Sequence, residues 1–322
     1  MSAPYRWMLM QAPNWTDAVV DRQAHPNHDE EIETLFYTPL RRRRGVSQSL
    51  FDNHWKNAHG PLCARLPGLY HYVQYHLAHD EGGLWPSIDG IDRGPREENQ
   101  LDGVAILAFA SMDDRQTWAE HSDILMADEQ NAFEETIGYE TNAGASTTFL
   151  DRRSNPAPNG DGNEVSLQVL LKKQDGVARE AFHDYLLEDL LPSFADSDLL
   201  TRLRAHPLEA YDNSEDQPPA PNVSHDAPPE EQPQAALEIS FEDRVALNNF
   251  FDSPAYTQTV GTQPEYIRQI DAFPVRNTYT FNYGGEMTLA GHRGSTTARD
   301  IRQIGAVNQM DAETLEKFGS PE

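Results

Sequence analysis

One sequence pattern occurs twice in this chain, 131 positions apart, and only the first copy keeps the histidines and the tryptophan of the motif. The first copy contains Gly45, Phe51 and then His54-Trp55-Lys56-Asn57-Ala58-His59-Gly60-Pro61-Leu62. The second contains Gly176, Phe182 and then Tyr185-Leu186-Leu187-Glu188-Asp189-Leu190-Leu191-Pro192. Adding 131 takes positions 45, 51 and 61 to 176, 182 and 192, whereas His59 is matched by Leu190. Internal repetition constrains the whole fold, so we expect two copies of one unit, one of them working and one structural.

The length of 322 residues fits about two domains, each large enough for its own core. No apolar run approaches the ~18 residues of a membrane span, and the first ten residues lack the apolar core of a signal peptide. We therefore expect a cytoplasmic protein without membrane contact. A single cysteine, Cys63, excludes an intramolecular disulfide and a multi-cysteine zinc site.

The net charge argues against nucleic acid as a partner. Lys and Arg number 25 and Asp and Glu 52, so the formal charge is 25 − 52 = −27, whereas binding to phosphates needs a basic surface. Lysine occurs only at positions 56, 172, 173 and 317. An acidic, lysine-poor surface suits concentrated salt, which screens self-repulsion, and it also suits an ordinary acidic protein. The sequence leaves both readings open.

The spacing of apolar residues predicts two successive β-α-β-β-α-β units, the split βαβ or ferredoxin-like arrangement. In the first unit the expected strands are 32–38, 69–77, 103–110 and 138–150, and the helices are 47–59 and one beginning at 113. In the second unit the expected strands are 165–172, 199–207, 235–241 and 270–282, and the helices are about 178–190 and 242–252. Gly60-Pro61 is expected to end the first helix.

These elements predict a division of the chain into five segments. They are a lead-in at 1–31, the first unit at 32–151, a linker at 152–163, the second unit at 164–283 and a tail at 284–322. Within the second unit, 212–233 contains six prolines and many acidic residues, a composition typical of disorder. It falls in the same connection as the long loop 78–101 of the first unit.

The fold class that follows is α+β. The helices of each unit cover one face of a four-stranded sheet, and the other face needs a partner. Two units in one chain can pack sheet to sheet, as an intramolecular dimeric α+β barrel. We expect a pocket inside that barrel.

The string Phe51-x-x-His54-Trp55-x-x-x-His59-Gly60-Pro61-Leu62 resembles the EthD family of dimeric α+β barrel proteins. Two further strings, Pro67-Gly68-Leu69-Tyr70 and Tyr72-Val73-Gln74-Tyr75-His76, are similar to the second strand of that family. The resemblance covers about 32–150, and 164–283 matches it in layout without the motif. The tail string Leu289-Ala290-Gly291-His292-Arg293-Gly294 is similar to the tail of tandem EthD-like proteins.

The resemblance implies a ferredoxin-like barrel and a class of chemistry. Some family members resemble small cofactor-free decarboxylases, dehydratases or cyclases of polyketide-type substrates. Others accompany oxygenase pathways without a settled reaction. The resemblance therefore implies a pocket for an apolar substrate and no particular compound.

His59 is the leading candidate for a catalytic residue. At the C-terminus of a helix that ends at Gly60, the helix dipole would raise the pKa of the imidazole. An imidazole that titrates near neutral pH suits general acid–base catalysis. The alternative is a histidine that only caps the carbonyls of its own helix, but the replacement of His59 by Leu190 in the second copy favours a function.

The strand 69–77 supplies the other candidates, because one of its faces is polar. That face carries Tyr70, Tyr72, Gln74 and His76, and its counterparts in the second copy are Thr201, Leu203, Ala205 and Pro207. We expect Tyr72 and His76 to orient a substrate or pass a proton, and Tyr70 and Gln74 to contact it. The alternative is that these rings fill the barrel and hydrogen-bond internally.

His54 and Trp118 complete the set of expected substrate contacts, although packing in the core is the more ordinary role for Trp118. Trp55 is expected to pack in the core against the sheet. Cys63 follows His59 closely, so a Cys/His nucleophile pair is one interpretation. A buried structural thiol is the commoner one.

No metal site is expected. His71 and His76 fall on opposite faces of their strand, and the group of His25, His28 and acidic residues at 29–31 matches no defined ligand spacing. Haem binding through one histidine remains an alternative. The basic run 41–44 could hold an anion, but balancing acidic neighbours is the more ordinary role.

The leading functional hypothesis is a cofactor-independent lyase or isomerase that acts on a hydrophobic carbonyl compound, with His59 as the acid or base and with His76 and Tyr72 assisting. A binding protein that holds an apolar metabolite for an oxygenase pathway is the second hypothesis, and a haem protein is the third. The expected partner is a hydrophobic small molecule, and the sequence leaves a homodimer open.

Overall fold

The computed structural model describes residues 28–79, 84–95, 97–141, 144–160, 162, 164–214 and 220–319. Most of the predicted lead-in, residues 1–27, lies outside these ranges. No helix within them is long and apolar enough to cross a membrane.

The first half of the chain forms a four-stranded antiparallel sheet covered on one face by helices. The strands of this half are β1 (Thr34–Arg42), β2 (His71–Leu77), β3 (Asp92–Gly94), β4 (Gly103–Phe109), β5 (Phe133–Thr136), β6 (Tyr139–Glu140) and β7 (Thr147–Asp151), and β1, β2, β4 and β5 form the four-stranded sheet. Its helices are α1 (Gln48–His54), α2 (Gly60–Ala64), α3 (Met112–His121) and α4 (Asp123–Ala132). The order across the sheet is β5-β1-β4-β2.

The second half repeats this arrangement. Its strands are β8 (Asn159–Gly160), β9 (Val165–Lys173), β10 (Leu200–Pro207), β11 (Ala235–Phe241), β12 (Ile267–Tyr283) and β13 (Glu286–Met287). Its helices are α5 (Arg179–Asp184), α6 (Leu191–Ala195), α7 (Arg244–Asp252), α8 (Pro254–Thr257) and α9 (Gln263–Tyr266), followed by α10 (Leu289–Arg293), α11 (Ser295–Ile304) and α12 (Ala312–Gly319) of the tail. The order across this sheet is β12-β9-β11-β10. As in the first half, the last main strand of the unit lies beside the first, followed by the third and the second, which is the order of ferredoxin-like units.

The last strand of each half joins the two sheets into one barrel. Strand β12 pairs with β9 through residues 267–274 and with β2 of the first half through residues 275–282. Conversely, β7 of the first half pairs with β10 of the second half. Each half therefore covers the edge strand of the other, which would otherwise offer unpaired backbone groups. The predicted α+β barrel is confirmed.

Long side chains pack the middle of the barrel, so the predicted pocket between the two sheets is reduced to small spaces and is not the main cavity. Tyr37 donates to Gln168 Oε1 at 2.9 Å, a contact between positions 131 apart. Arg202 Nη2 lies 3.2 Å from Glu238 Oε1, and Arg204 is also fully buried beside that carboxylate. Side chains this long fill the middle of the space between the two facing sheets. A void of about 20 Å³ remains beside Tyr75 and Arg202, and a pocket of about 120 Å³ remains beside Pro39, Leu170 and Phe273.

The first helix does not end at Gly60-Pro61. It passes through a π-helical turn, Trp55–His59, and continues as α2 to Ala64. In that wide turn the N–H of Gly60 donates to the carbonyl of Trp55, so a proline without an N–H is tolerated at the next position. A Cβ atom on Gly60 would lie 2.4 Å from the ring of Phe281, which explains glycine there. The second half repeats the turn at Tyr185–Leu190, before Pro192.

Long loops of the two halves are exchanged across the barrel. From the first half, Trp85 is buried between Phe194, Phe251 and Tyr256 of the second. From the second half, residues 220–233 pack on the first, and Ser224 N donates to Glu134 O at 2.8 Å. Disorder was therefore the wrong expectation for 220–233, while 215–219 lie outside the described residues. A few apolar side chains that become buried, such as Val223, outweigh the polar average of the segment.

The tail packs as helices against the first half. Leu289 and Ala290 of α10 and Ala298 and Ile301 of α11 are buried there. Gly291 permits close packing, since a Cβ atom would lie 2.5 Å from the carbonyl oxygen of Phe281.

Candidate active site

A cavity of about 350 Å³ lies between the sheet of the first half and the helices that cover it. This is the helix-covered face of the sheet and not the barrel interior. The sheet contributes Phe36, Thr38, Leu40, Tyr72, Ala105 and Leu107, and the helices contribute Trp55, His59, Cys63, Trp118, Leu125, Met126 and Glu129. Its size is that of a pocket for a small organic ligand.

Aromatic and aliphatic side chains form much of the cavity wall, and charged side chains lie among them. Phe133 lies edge-on to His59 with ring centroids 5.1 Å apart, and Phe36 contacts the indole of Trp118 at 5.9 Å. At the mouth, Arg115 lies over the ring of Phe36 and forms an ion pair with Glu140. Further lining at the mouth comes from the segment 209–212 of the second half. An apolar ligand would therefore be enclosed by both halves.

His59 lines this cavity and is backed by a carboxylate. Its Nδ1 donates to Asp128 Oδ2 at 3.0 Å, and His54 Nε2 contacts the same oxygen at 3.1 Å. These two hydrogen bonds hold the pKa of Asp128 well below its usual value, so the carboxylate is charged at neutral pH. An ionised carboxylate only accepts hydrogen bonds, which fixes the Nδ1–H tautomer of His59 and leaves Nε2 as a base.

The expected rise in the pKa of His59 is wrong. Burial of the ring lowers the pKa of His59 from 6.5, and the hydrogen bond to Asp128 opposes this only in part. The predicted rise depended on a helix that ended at Gly60. Because the helix continues to Ala64, no helix terminus faces the imidazole. His59 is consequently neutral at physiological pH and available to accept a proton.

Tyr72 lines the cavity, and Gln74 and His76 lie behind it. Gln74 Nε2 donates to the Tyr72 hydroxyl at 2.7 Å and to the carbonyl of Trp55 at 3.1 Å. His76 lies one step further away, with Gln74 Oε1 3.3 Å from its Nε2 and Asp52 Oδ1 2.8 Å from its Nδ1. Burial lowers the pKa of His76 to about 4. Gln74 and His76 can therefore hold Tyr72 in position, without lining the cavity.

The other predicted residues are separated by the structure. Trp118 lines the cavity, whereas His54 is half-buried on the far side of Asp128. Tyr70 donates to Glu31 and packs beside His28, away from the cavity. Tyr70 was predicted to share the face of Tyr72 because side chains alternate along a strand. That prediction is wrong because β2 begins only at His71 and the chain bends at residue 70.

Cys63 lines the cavity but is not poised as a nucleophile. Burial raises the pKa of its thiol far above the usual value, with a smaller opposing effect from the hydroxyl of Tyr72. The thiol is thus protonated at neutral pH. The basic run beside the site is paired with acidic neighbours, such as Arg42 with Asp102 at 3.1 Å and Arg44 with Glu134 at 2.9 Å.

Two functional candidates in the cavity, Glu129 and His225, were not predicted from the sequence. Burial, with the nearby charge of Asp128, raises the pKa of Glu129 to about 8. His225 comes from the exchanged loop of the second half, and its Nε2 lies 3.8 Å from Glu129 Oε2. One signal pointed to Glu129, since it falls four residues after Leu125 on the buried side of α4. No comparable signal marked His225.

The equivalent space in the second half is filled by side chains. By the shift of 131, Trp55, His59, Cys63 and Tyr72 correspond to Leu186, Leu190, Phe194 and Leu203, all of them buried in one apolar cluster. Trp85, inserted from the first half, completes that cluster. Within the described residues no group of His, Cys, Asp and Glu side chains is arranged to hold a metal ion.

Comparison with known families confirms the resemblance in the first half. Residues 43–135 match the EthD domain, so the chain contains an EthD domain. None of the curated proteins matches the chain.

Solved structures share the barrel at low sequence identity. A monooxygenase-like protein from Fusobacterium nucleatum is 7% identical, with 80% of this chain and 97% of that chain covered and a TM-score of 0.50. A monooxygenase-like protein from Lactobacillus acidophilus is 10% identical, with 78% and 97% covered and a TM-score of 0.45. An anthrone oxidase-like protein is 8% identical, with 78% and 93% covered and a TM-score of 0.47. At such identities the likeness concerns the fold alone.

Proposed function

We propose that this protein is an enzyme that transfers protons on an apolar carbonyl compound bound in the first-half cavity, as a cofactor-independent lyase or isomerase does. One observation carries the proposal: a cavity of about 350 Å³ has the imidazole of His59, hydrogen-bonded to Asp128, in its wall. An α+β barrel with such a cavity fits an enzyme or a small-molecule-binding protein. The placement of a neutral base inside it favours the enzyme.

The residues around the cavity have complementary roles in this proposal. His59 Nε2 removes a proton from the carbon next to the carbonyl, and Asp128 stabilises the imidazolium that forms. The Tyr72 hydroxyl, held by Gln74, donates a hydrogen bond to the developing enolate oxygen. The aromatic walls exclude water, which strengthens these interactions. His76 is a positioning residue that acts through Gln74.

The test is exchange of α-hydrogens in D₂O, followed by NMR with 2-tetralone, a two-ring ketone of suitable size. We expect wild-type protein to accelerate exchange above buffer and His59→Gln to lower the rate by about 10²–10⁴-fold. His121→Gln is the matched control, since His121 is exposed on α3. Melting curves confirm that the variants fold. Exchange that survives within a few-fold in His59→Gln removes His59 from the mechanism.

A binding protein for an apolar metabolite, serving an oxygenase pathway, is the second candidate. The observation in its favour is that His225 and the segment 209–212 of the other half line the cavity, so a bound ligand would contact both halves. Wild-type protein that binds the ketone tightly but exchanges no hydrogen above buffer would support this function over the enzyme.

A further inference from the structure

We propose that Glu129 and His225 form a subsite that recognises a hydroxyl group of the ligand, with one residue from each half of the chain. The proposal rests on the proposed function only in placing a ligand in the same cavity. It adds a specificity determinant and a chemical class, a hydroxylated aromatic or enolic compound.

The first argument is that both residues line the cavity and that each carries a buried polar atom without a hydrogen-bond partner among the described residues. Glu129 and His225 are each 7% exposed. The unpartnered atoms are Glu129 Oε2 and His225 Nε2. They lie 3.8 Å apart, too far for a direct hydrogen bond. Buried polar atoms are costly unless paired, so a ligand group that reaches both is favoured.

The second argument is that the pair consists of one donor and one acceptor. His225 Nδ1 donates to the carbonyl of Thr136 at 2.9 Å, so the neutral ring has its lone pair on Nε2. Burial keeps the pKa of His225 below 6.5 and raises the pKa of Glu129 to about 8. At neutral pH the Glu129 carboxyl is protonated and donates, while His225 Nε2 accepts.

The third argument concerns which ligand group satisfies both atoms. A hydroxyl accepts from Glu129 and donates to His225 at the same time. A ketone or ether oxygen only accepts, so His225 Nε2 stays unpaired, and a hydrocarbon leaves both atoms unpaired. The other lining residues include aromatic and aliphatic side chains such as Phe36, Leu107 and Phe133. The subsite therefore selects a hydroxyl on an otherwise apolar molecule.

The fourth argument is that the subsite is composite. Glu129 lies on α4 inside the EthD domain, whereas His225 lies on the exchanged loop far outside it. Backbone contacts fix that loop, since Thr136 N donates to Ser224 O at 3.0 Å. Recognition of the hydroxyl thus requires the second half, although that half has no comparable cavity lining of its own.

The test compares dissociation constants of 2-naphthol and naphthalene, measured by fluorescence titration at pH 7. Wild-type protein is expected to prefer 2-naphthol by at least about tenfold, since a site built for a hydroxyl rejects the analogue that lacks it. His225→Phe should reduce the preference to threefold or less. His121→Phe is the matched control, because His121 Nδ1 also contacts a backbone carbonyl but is exposed. A wild-type preference below threefold overturns the proposal, as does full preference in His225→Phe.

Variants of Glu129 provide a second test if the loop is disturbed in His225→Phe. Glu129→Leu should lose the preference, whereas Glu129→Gln, whose amide still donates, should retain most of it. Equal preference in Glu129→Leu and wild type contradicts the subsite. His59→Gln should keep the preference, since binding needs no turnover. The exchange assay and the binding preference can therefore fail separately, so a negative result for the proposed reaction differs from a negative result for the hydroxyl subsite.

Discussion

Burial sets the protonation of the titratable groups that meet in the first-half cavity. It lowers the pKa of His59 and raises the pKa of Glu129 to about 8, because each loses the hydration of its charged form. Asp128 is the exception, since hydrogen bonds from two imidazoles stabilise its charge. The cavity therefore holds a neutral base and a neutral acid at pH 7, which is the combination that proton transfer requires.

Replacement of Glu129 by Gln should stabilise the protein at alkaline pH. The folded-state pKa of about 8 exceeds the usual 4.5, so the unfolded chain loses this proton first, and wild type loses stability as pH rises from 4.5 to 8. Glu129→Gln lacks this loss. We expect equal free energies of unfolding near pH 4.5 and a gain for the variant that levels off above pH 8. Over this range the gain should grow by roughly 1.4 kcal/mol for each increase of one in pH.

Urea denaturation across this pH range measures the difference, with Glu120→Gln as a control on the exposed side of α3. The control should show no comparable change with pH. A constant difference between Glu129→Gln and wild type would mean that Glu129 is ionised in the folded protein.

The sequence identified individual cavity residues where a motif or a repeat marked them. His59 and Tyr72 differ from their counterparts in the second copy, and both line the cavity. Glu129 was missed because one acidic residue in an amphipathic helix is ordinarily solvated. The pKa of His59 was misjudged because its direction depends on where a helix ends, which a Gly-Pro pair predicted incorrectly.

At the scale of elements, the exchanged loops decide which half retains a cavity. Trp85 enters the helix layer of the second half and fills it, whereas 220–233 brings smaller side chains and His225 to the first half. The strand order could be predicted because it follows from the repeated pattern of apolar segments. The loop exchange could not, since composition reports the average polarity of a segment and not which of its few apolar residues become buried.

Truncation of Trp85 should open a second cavity. Trp85→Ala removes a buried indole from a cluster of aromatic rings, so we expect a loss of about 3–5 kcal/mol in the free energy of unfolding. Leu50→Ala, at a 60% exposed position, should change it by less than about 0.5 kcal/mol. Urea denaturation gives both values. A loss below about 1 kcal/mol for Trp85→Ala would show that the indole is not a core residue.

At the scale of the whole molecule, two similar halves form one barrel and have unequal roles. Strands β12 and β7 each continue from their own half onto the edge of the other, so neither half completes its sheet alone. The general plan could be predicted from the repeat at 131 residues. The position of the cavity could not, because facing sheets can enclose either a pocket or packed side chains, and the long residues Tyr37, Arg202 and Arg204 fill this barrel.

The most direct test of this account is a crystal structure of the protein with bound 2-naphthol. We expect one ligand per chain between the first-half sheet and its helices, in contact with His59, and no ligand in the equivalent region of the second half. Ligand inside the barrel, or bound equally in both halves, would contradict the assignment of the working site.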